Sequence, residues 1–327
     1  MSFTSITGHH NQVEVLSKAI LNNRVSHSYL FIGPEGVGKK LTAISFAKTL
    51  NCKGTRGDFC DECISCKKIN GLTHPDVEII EPEGRFIKIE RIRELQKRLQ
   101  YKSLEGRFKV SILDGVEKMN PAASNALLKT LEEPPQDSIL ILISSQGSSL
   151  LPTLVSRCQR FTFHPLKGDD MIHLIKKNGV EDEIASLLVS FGQGSIGRAL
   201  SINREWLLKE RKVFLEMIKD VIRGDMETAF QLTEDIYKDD ALMDYLEVLK
   251  IWIRDILVYK HTKDKESIVN TDLLYILKKE NESLSCERLQ HIFHGVNECQ
   301  GDILKNANKR LALEVMFMRL GEKWLES

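Results

Sequence analysis

Long hydrophobic runs, a leader segment and an excess charge of either sign are all missing from this sequence. No apolar run approaches the ~18–20 residues that a membrane-spanning helix needs, and Met1–Ile6 lacks the charged-then-apolar order of a signal peptide. A cytoplasmic protein with no membrane partner is therefore expected. The 46 Lys and Arg balance the 46 Asp and Glu, so any contact with nucleic acid must come from a local patch rather than from net charge.

The length and the pattern of apolar residues predict more than one domain. At 327 residues the chain exceeds what a single core usually serves. Short apolar strands alternate with amphipathic helices as far as Leu166, which predicts a parallel sheet covered by helices on both faces. The predicted strands are 29–32, 77–80, 108–114, 138–145 and 159–163.

Beyond Leu166 the pattern predicts helices alone. Residues 168–203 have the pattern of three short helices with glycines at the turns. The last predicted helix, Asn306–Leu325, is apolar on two faces, which is typical of a helix that packs between others. One face carries Leu311, Val315 and Met318, and the other carries Leu313, Phe317, Leu320 and Trp324. Breaks in the helical pattern are predicted near 224, 239, 263–267 and 280–285.

A glycine-rich loop joins the first predicted strand to a helix. Its sequence is Gly33-Pro34-Glu35-Gly36-Val37-Gly38-Lys39-Lys40, in the setting where G-x-x-x-x-G-K-[ST] binds nucleotide phosphates through backbone N–H groups. The last position is Lys40, where the motif has a hydroxyl that binds Mg²⁺. The loop therefore predicts a vestigial phosphate site and leaves open whether ATP and Mg²⁺ bind. Its expected members are Gly33, Gly36, Gly38 and Lys39.

Residues 108–114 have the form of a Walker B strand. Its terminal acid, Asp114, would help to hold Mg²⁺, although a surface carboxylate at a strand end is the plainer interpretation. Active ATPases of the AAA+ kind follow this acid with a glutamate that polarises the attacking water. Here Gly115 comes next, and Glu117 comes two residues late. Because phosphoryl transfer depends on positioning and charge stabilisation, hydrolysis by this chain is not expected.

Four of the seven cysteines lie within fifteen residues: Cys52, Cys60, Cys63 and Cys66. Four thiolates complete a tetrahedral Zn²⁺ shell and leave no open position, which predicts a structural zinc site. The spacing is also found around iron–sulfur clusters, but no cysteine follows Cys66 where the ferredoxin run would require one. Unliganded cysteines are the remaining alternative. Cys158, Cys286 and Cys299 are predicted to be core residues.

Several motifs together resemble bacterial clamp-loader subunits of DNA polymerase III, which are AAA+ proteins. They are Ser156-Arg157-Cys158, residues 124–135 (SNALLKTLEEPP), His74-Pro75-Asp76 and the four-cysteine insertion. The likeness is specific over residues 1 to about 205 and rests on length and pattern beyond. It implies an α/β AAA+ P-loop domain (1–165) with a zinc module (52–66), a helical lid (166–205) and an all-α C-terminal collar domain (206–327).

The resemblance also implies roles for single residues. In the family, the arginine of Ser-Arg-Cys enters the ATP site of the next subunit as an arginine finger, and Arg157 would take that role. Ser145 would stand at the sensor-1 position, with Ser144 and Gln146 as competitors, and Arg198 at sensor 2. Without the resemblance, Arg157 and Arg198 would both be interpreted as solvated surface arginines.

Within the family, the combination of a retained Arg157 and zinc motif with missing catalytic groups resembles the delta-prime branch. Members of that branch donate an arginine finger but do not hydrolyse ATP at their own site. They belong to a hetero-oligomeric ring with gamma/tau and delta subunits. The ring opens a sliding clamp and places it on primer–template DNA. The alternatives are an ATP-hydrolysing gamma/tau-type motor or other AAA+ ATPase, and a zinc-containing scaffold with no part in ATP chemistry.

The segment Arg85–Lys109 is rich in basic residues, with nine Lys and Arg against three Glu. Four of them fall along one side of a predicted helix: Lys88, Arg91, Arg98 and Lys102. Such a row can line a phosphate backbone, and a solvated charged face explains it equally well. The family resemblance favours contact with DNA.

Overall fold

The computed structural model describes residues 2–55, 57–265 and 267–322. The chain divides into two compact units. The first comprises 1–180 together with 192–200, and the second comprises 181–191 together with 201–327. None of the helices in the described ranges is both long and apolar enough to cross a membrane.

The first unit is built on a five-stranded parallel sheet with the strand order β2-β3-β4-β1-β5. The strands are β1 (Ser28–Ile32), β2 (Val77–Ile80), β3 (Lys109–Asp114), β4 (Ser138–Ser144) and β5 (Gln159–Thr162). Every residue of the central strand β4 is buried. This burial accounts for its uninterrupted run of apolar residues from Ile139 to Ile143, because a strand covered on both faces has no solvated side.

Helices cover both faces of this sheet. They are α1 (His10–Leu21), α2 (Lys39–Asn51), α3 (Ile64–Asn70), α4 (Ile89–Leu99), α5 (Pro121–Glu132) and α6 (Pro152–Val155). The first unit also contains α7 (Gly168–Lys177) and most of α9 (Ile196–Ser201). Alternate residues of β1 belong to different cores, because successive side chains of a strand point to opposite faces. Tyr29 and Phe31 join the core formed with α1 and α2, whereas Leu30 joins the core formed with α4 and α5.

The start and the end of α5 follow directly from its sequence. The Asn120 side chain accepts a hydrogen bond from the Ala123 N–H at 2.8 Å, and Pro121 occupies the first helical position. The helix ends at Glu132 because Pro134 and Pro135 follow. This parallel, helix-covered sheet confirms the α/β fold class expected for the first domain.

The second unit is entirely helical over its described residues. Its core contains Trp252, Leu246 and Phe317. Arg211 is also buried, and it donates to the Leu207 carbonyl and pairs with Asn270 and Asp272. The helices are α8 (Asp182–Gly192), α10 (Arg204–Leu208), α11 (Glu210–Ile222), α12 (Met226–Ile236), α13 (Leu242–Thr262), α14 (Leu274–Ser283), α15 (Cys286–Leu304) and α16 (Lys309–Gly321).

Among the described residues, the last helix, α16, buries one of its two apolar faces and leaves the other exposed. Leu313, Phe317 and Leu320 are buried, whereas Leu311, Val315 and Met318 are 58%, 40% and 42% exposed. The helix begins at Lys309 because Asn308 caps it through the Leu311 N–H. Residues 323–325 of the predicted helix lie outside the described ranges. Within the described residues, the expected packing is therefore observed on one face of the helix.

Candidate functional site

The glycine-rich loop leaves the carboxyl end of β1 and enters α2 directly. Gly36 and Gly38 have φ values of +74° and +108°, which favour glycine. A Cβ on Gly36 would stand 2.2 Å from the Ser195 hydroxyl oxygen, so the lack of a side chain also permits this close approach. The Gly36 carbonyl accepts a hydrogen bond from the Gly197 N–H at 3.0 Å. The loop is therefore packed against the start of α9.

Lys39 is buried within this loop, with 6% of its surface exposed. Its ammonium donates to the Gly33 and Pro34 carbonyls, at 2.5 Å each. Burial lowers the pKa of Lys39, and the charge of Asp114 opposes that effect. The carbonyl oxygens of the loop thus satisfy the ammonium, since each backbone carbonyl can accept a hydrogen bond.

Lys40 lies between two carboxylates at the carboxyl edge of the sheet. Glu81 follows β2 and Asp114 ends β3, and the preceding residues Ile80 and Leu113 are paired in register. The Lys40 ammonium forms a close ion pair with Glu81 and lies 3.7 Å from an Asp114 carboxylate oxygen. Burial raises the pKa of Asp114, and the charge of Lys40 opposes that effect.

Glu117, the acid that follows Asp114 too late, is held by Ser145. Its Oε1 accepts hydrogen bonds from the Ser145 hydroxyl at 2.6 Å and the Ser145 N–H at 3.3 Å. Burial alone would raise the pKa of Glu117, but these hydrogen bonds outweigh it and the pKa is lowered. The other oxygen, Oε2, is buried without a hydrogen-bond partner among the described residues. Ser144 instead bonds the backbone of Gln146.

His9 supports the loop through its ring, a role that no motif in the sequence indicated. The ring is buried, and its Nε2 lies 2.7 Å from the Val37 carbonyl oxygen. Because a carbonyl oxygen only accepts, Nε2 carries the proton. The ring also meets Phe163 edge-on at 4.7 Å between centroids. Burial lowers the pKa of His9, which favours the neutral ring.

Arg198 is brought to the loop by its backbone. Its N–H donates to the Ser195 hydroxyl at 3.1 Å, and the neighbouring Gly197 bonds Gly36. The side chain is half-buried on α9. The structure therefore brings Gly33, Gly36, Gly38, Lys39, Asp114, Ser145 and Arg198 to one end of the sheet.

Arg157 lies at the other end of the sheet. It follows α6 and precedes β5, and its carbonyl accepts a hydrogen bond from Ser28, the first residue of β1, at 2.6 Å. The loop begins where β1 ends, so about 16 Å of strand separates Gly33 from Ser28. The guanidinium donates to the Thr153 carbonyl at 2.8 Å and pairs with Glu132 at 2.6 Å. Its side chain remains 35% exposed.

The four cysteines of the insertion converge as the spacing predicts. Their sulfur atoms all lie within 4.8 Å of one another, and the sulfurs of Cys52 and Cys60 are 3.6 Å apart. A tetrahedral zinc with bonds of about 2.3 Å places its sulfurs about 3.8 Å apart. The N–H groups of Cys63 and Cys66 donate to the sulfurs of Cys60 and Cys63. This group can hold a metal ion.

The thiols of this group differ in acidity. Burial would raise the pKa of Cys52, but hydrogen bonds from Thr55 and Gly54 lower it to about 6. Burial raises the pKa of Cys66 to about 12. A metal ion would offset that difference, because thiols bind metals as thiolates.

A buried lysine ties the cysteine insertion to α2. The Lys48 ammonium pairs with Asp61 at 2.7 Å and lies 3.8 Å from the centre of the Phe59 ring. Sequence reasoning missed this contact, because a lysine at a helical position is normally solvated.

The remaining cysteines differ from one another. Cys299 is buried and Cys158 packs against the core. Cys286 is half-buried at the start of α15, with its sulfur 3.7 Å from the His261 ring. The prediction of a core position is therefore wrong for Cys286.

The basic row on α4 is partly neutralised. Arg91 pairs with Glu94 at 2.8 Å, and Arg98 pairs with Glu78 at 2.9 Å. Lys88 and Lys102 are exposed and flank the helix. Contact between this row and DNA stays a prediction.

Two family models cover most of the chain. One, described as DNA polymerase III, delta subunit, matches residues 8–167, and a second, for the C-terminal part of the same polymerase's delta subunit, matches residues 205–322. The delta' subunit of DNA polymerase III from Pseudomonas aeruginosa is 32% identical over 77% of this chain and 78% of its own length. The chain belongs to the DNA polymerase III clamp-loader family. The resemblance to its delta-prime branch is confirmed.

Further relatives belong to the same family. The delta' subunit of Bacillus subtilis is 27% identical over 95% of both chains. The tau/gamma subunit of Haemophilus influenzae is 34% identical over 74% of this chain. The matched segment covers 35% of that longer protein.

Proposed function

We propose that this clamp-loader subunit does not hydrolyse ATP and instead offers Arg157 to the ATP site of a neighbouring motor subunit. The observation that carries the proposal is the position of Arg157 at the end of the sheet opposite its own P-loop. The guanidinium there is distant from its own phosphate loop and is half-exposed for a second chain. An arginine supplied in trans stabilises the charge that develops on the transferring phosphoryl group.

The groups around the chain's own P-loop support the absence of hydrolysis. Lys40 replaces the hydroxyl, and Gly115 replaces the acid that would polarise water. Glu117 does not compensate, because its carboxylate is engaged with Ser145. Positioning and charge stabilisation supply nearly all of the catalysis in phosphoryl transfer, so each loss alone is severe.

The ion pair with Glu132 sets a condition for this role. Arg157 must exchange the Glu132 carboxylate for the phosphates of the neighbouring site. Glu132 is half-exposed, and exposed ion pairs are worth only about 0–1 kcal/mol. The exchange therefore costs little compared with a bidentate guanidinium–phosphate contact.

We also propose that the four-cysteine group holds structural zinc. The four sulfurs leave no open coordination position, and the insertion has few apolar residues of its own with which to order residues 53–58. Bound zinc would hold this insertion in shape without taking part in ATP chemistry.

The partners follow from the family. We propose a hetero-oligomeric ring with gamma/tau and delta subunits, which acts on the sliding clamp at primer–template DNA. The division into residues 1–165, 166–205 and 206–327 belongs to this proposal, with the last segment as the collar. The exposed face of α16, formed by Leu311, Val315 and Met318, supports the collar role because none of the described residues covers it.

The finger is tested in the reassembled ring with Arg157→Ala. Removing the guanidinium should leave assembly unchanged and lower the DNA-stimulated ATPase by about tenfold or more, since an arginine finger contributes up to several orders of magnitude at its own site. The matched control is Arg160→Ala, which removes an exposed arginine from β5, three residues away. Its ATPase should match that of the unmodified ring.

Two results would contradict the proposal. If the Arg157→Ala ring has an unchanged ATPase, Arg157 is not the arginine finger. ATP turnover by the isolated chain would instead favour a gamma/tau-type motor, the second candidate, which the 34% identity to a tau/gamma subunit keeps in consideration.

A further inference from the structure

The residue that replaces the P-loop hydroxyl has a specific position in the structure. The Lys40 ammonium forms a close ion pair with Glu81 and lies 3.7 Å from Asp114. These acids stand at the ends of two adjacent parallel strands, β2 and β3, and Asp114 is at the position predicted for the Walker B acid. Lys40 thus places a positive charge where an active P-loop site holds its divalent cation.

The residues around Lys40 do not fit Mg²⁺. This ion requires oxygen ligands at about 2.0–2.1 Å in octahedral geometry. An ammonium has three donors and no acceptor, so Lys40 cannot serve as the ligand that the hydroxyl provides. A second cation near Asp114 would also be repelled by the ammonium already there.

The loop itself remains suited to phosphates. Lys39 and Lys40 occupy the first turn of α2, and that turn contains no acidic residue. Two cations at the positive end of a helix are repelled by its dipole, and an anion bound there would relieve the repulsion. Lys39 is already buried inside the loop, held by carbonyls that phosphate oxygens can replace as hydrogen-bond acceptors.

We propose that this P-loop binds the polyphosphate of a nucleotide without a divalent metal, with the Lys40 ammonium in place of Mg²⁺. The inference deepens the proposal that this chain does not hydrolyse ATP. It explains a site that keeps Gly36, Gly38 and Lys39 while it lacks the metal-binding hydroxyl. Nucleotide bound in this way would stabilise the subunit rather than drive it through a cycle.

The test measures the affinity of the full-length chain for fluorescently labelled ATP, in excess EDTA and in excess MgCl₂. The unmodified chain should bind in EDTA at least as tightly as in MgCl₂. Lys40→Thr restores the hydroxyl and should reverse this preference, with binding about tenfold tighter in MgCl₂ than in EDTA, the effect of one charge-assisted contact.

A second variant guards against a loss of folding. Lys40→Met keeps the aliphatic stem and removes the charge, so it should weaken binding about tenfold in EDTA without any gain in MgCl₂. Lys97→Thr, on an exposed position of α4, is the matched control and should behave as the unmodified chain. Circular dichroism of each variant confirms that it is folded.

Two results would overturn the inference. One is binding by the unmodified chain in MgCl₂ but not in EDTA, and the other is no binding under either condition. Neither result bears on the arginine-finger proposal, because that role is measured by the ATPase of the Arg157→Ala ring rather than by nucleotide binding to the isolated chain.

Discussion

Asp76 illustrates how a single carboxylate can order a loop that is distant in sequence. The residue is 4% exposed. Its two oxygens accept hydrogen bonds from the backbone N–H groups of Leu104, Glu105 and Gly106, at 2.7–3.0 Å. Burial alone would raise the pKa of Asp76, but these three donors outweigh it and the pKa is lowered. The charged form of Asp76 is therefore favoured by folding.

The sign of the pH dependence follows from this lowered pKa. A carboxyl group with a lower pKa in the folded state stabilises the fold fully above its unfolded pKa, about 3.9, and loses that contribution as the pH falls through the folded value. Asp76→Asn should lower the free energy of unfolding by about 2 kcal/mol at pH 7. The difference from the unmodified chain should shrink as the pH falls below about 4.

Urea unfolding followed by circular dichroism across this pH range measures the effect. Hydrogen exchange of the Leu104–Gly106 amides reports it locally. Asp137→Asn is the matched control, because Asp137 is exposed and has a positive φ that asparagine tolerates. The free energies of unfolding of Asp76→Asn and of the unmodified chain are compared as the pH is lowered from neutral through the unfolded pKa. A difference that stays constant over this range would refute the assigned role.

The positions of some site residues could be predicted from the sequence, and those of others could not. Lys40 and Asp114 could be placed at one site because they belong to motifs tied to a strand and a helix. His9 and Lys48 could not, because their partners, Val37 and Asp61, are set by packing rather than by spacing. A lone histidine or lysine gives no sign in a single sequence that it will be buried.

At the scale of elements, the parallel sheet was the most predictable part of the molecule. β2 matches its predicted bounds, and each of the other strands differs from its own by one residue. The predicted helix at 87–102 is shorter in the structure, Ile89–Leu99, because the apolar stripe defines its length and the flanking lysines do not. Burial on both faces makes the central strands apolar throughout, and that signal is local in sequence.

The cysteine insertion is the element whose order is most open to test. Purified without chelator, the chain should contain about one zinc per molecule. Cys63→Ser removes one ligand and should lower the zinc content to a small fraction, with increased hydrogen exchange in residues 53–63. Elemental analysis measures the metal, and exchange followed by mass spectrometry measures the order.

Cys286→Ser is the control for this experiment, because Cys286 is half-buried on α15 and belongs to a different unit of the chain. It should retain the zinc content of the unmodified chain. Unmodified protein that contains no zinc would exclude the four-thiolate site.

At the scale of the whole molecule, the exposed apolar face of α16 is the feature that a single chain leaves unexplained. The sequence predicted a helix apolar on two faces, and one of them is covered by the second unit itself. A sequence pattern reports that a face is apolar but not whether the same chain or another covers it. The partner of this face therefore could not be predicted from the sequence.

Val315→Lys tests whether another chain covers this face. A lysine at Val315, which is 40% exposed, should lower incorporation of the chain into a ring with gamma/tau and delta subunits by about tenfold or more, because a buried charge without a partner is costly. Size-exclusion chromatography of the mixed subunits measures incorporation. Val213→Lys makes the same change on α11, where Val213 is 53% exposed, and should have no effect. Normal incorporation of Val315→Lys would exclude α16 from the interface.

The placement of Arg157 and the P-loop at opposite ends of one sheet also fixes the polarity of any assembly that joins them. Each contact would pair the finger end of one subunit with the phosphate end of the next, so the two sides of every subunit are unlike. A member with an intact finger and a silent phosphate loop can serve only the neighbour on one side. Such a member would end the series of ATP-hydrolysing sites in the ring. Its position would therefore affect how many ATP molecules are hydrolysed in each loading cycle.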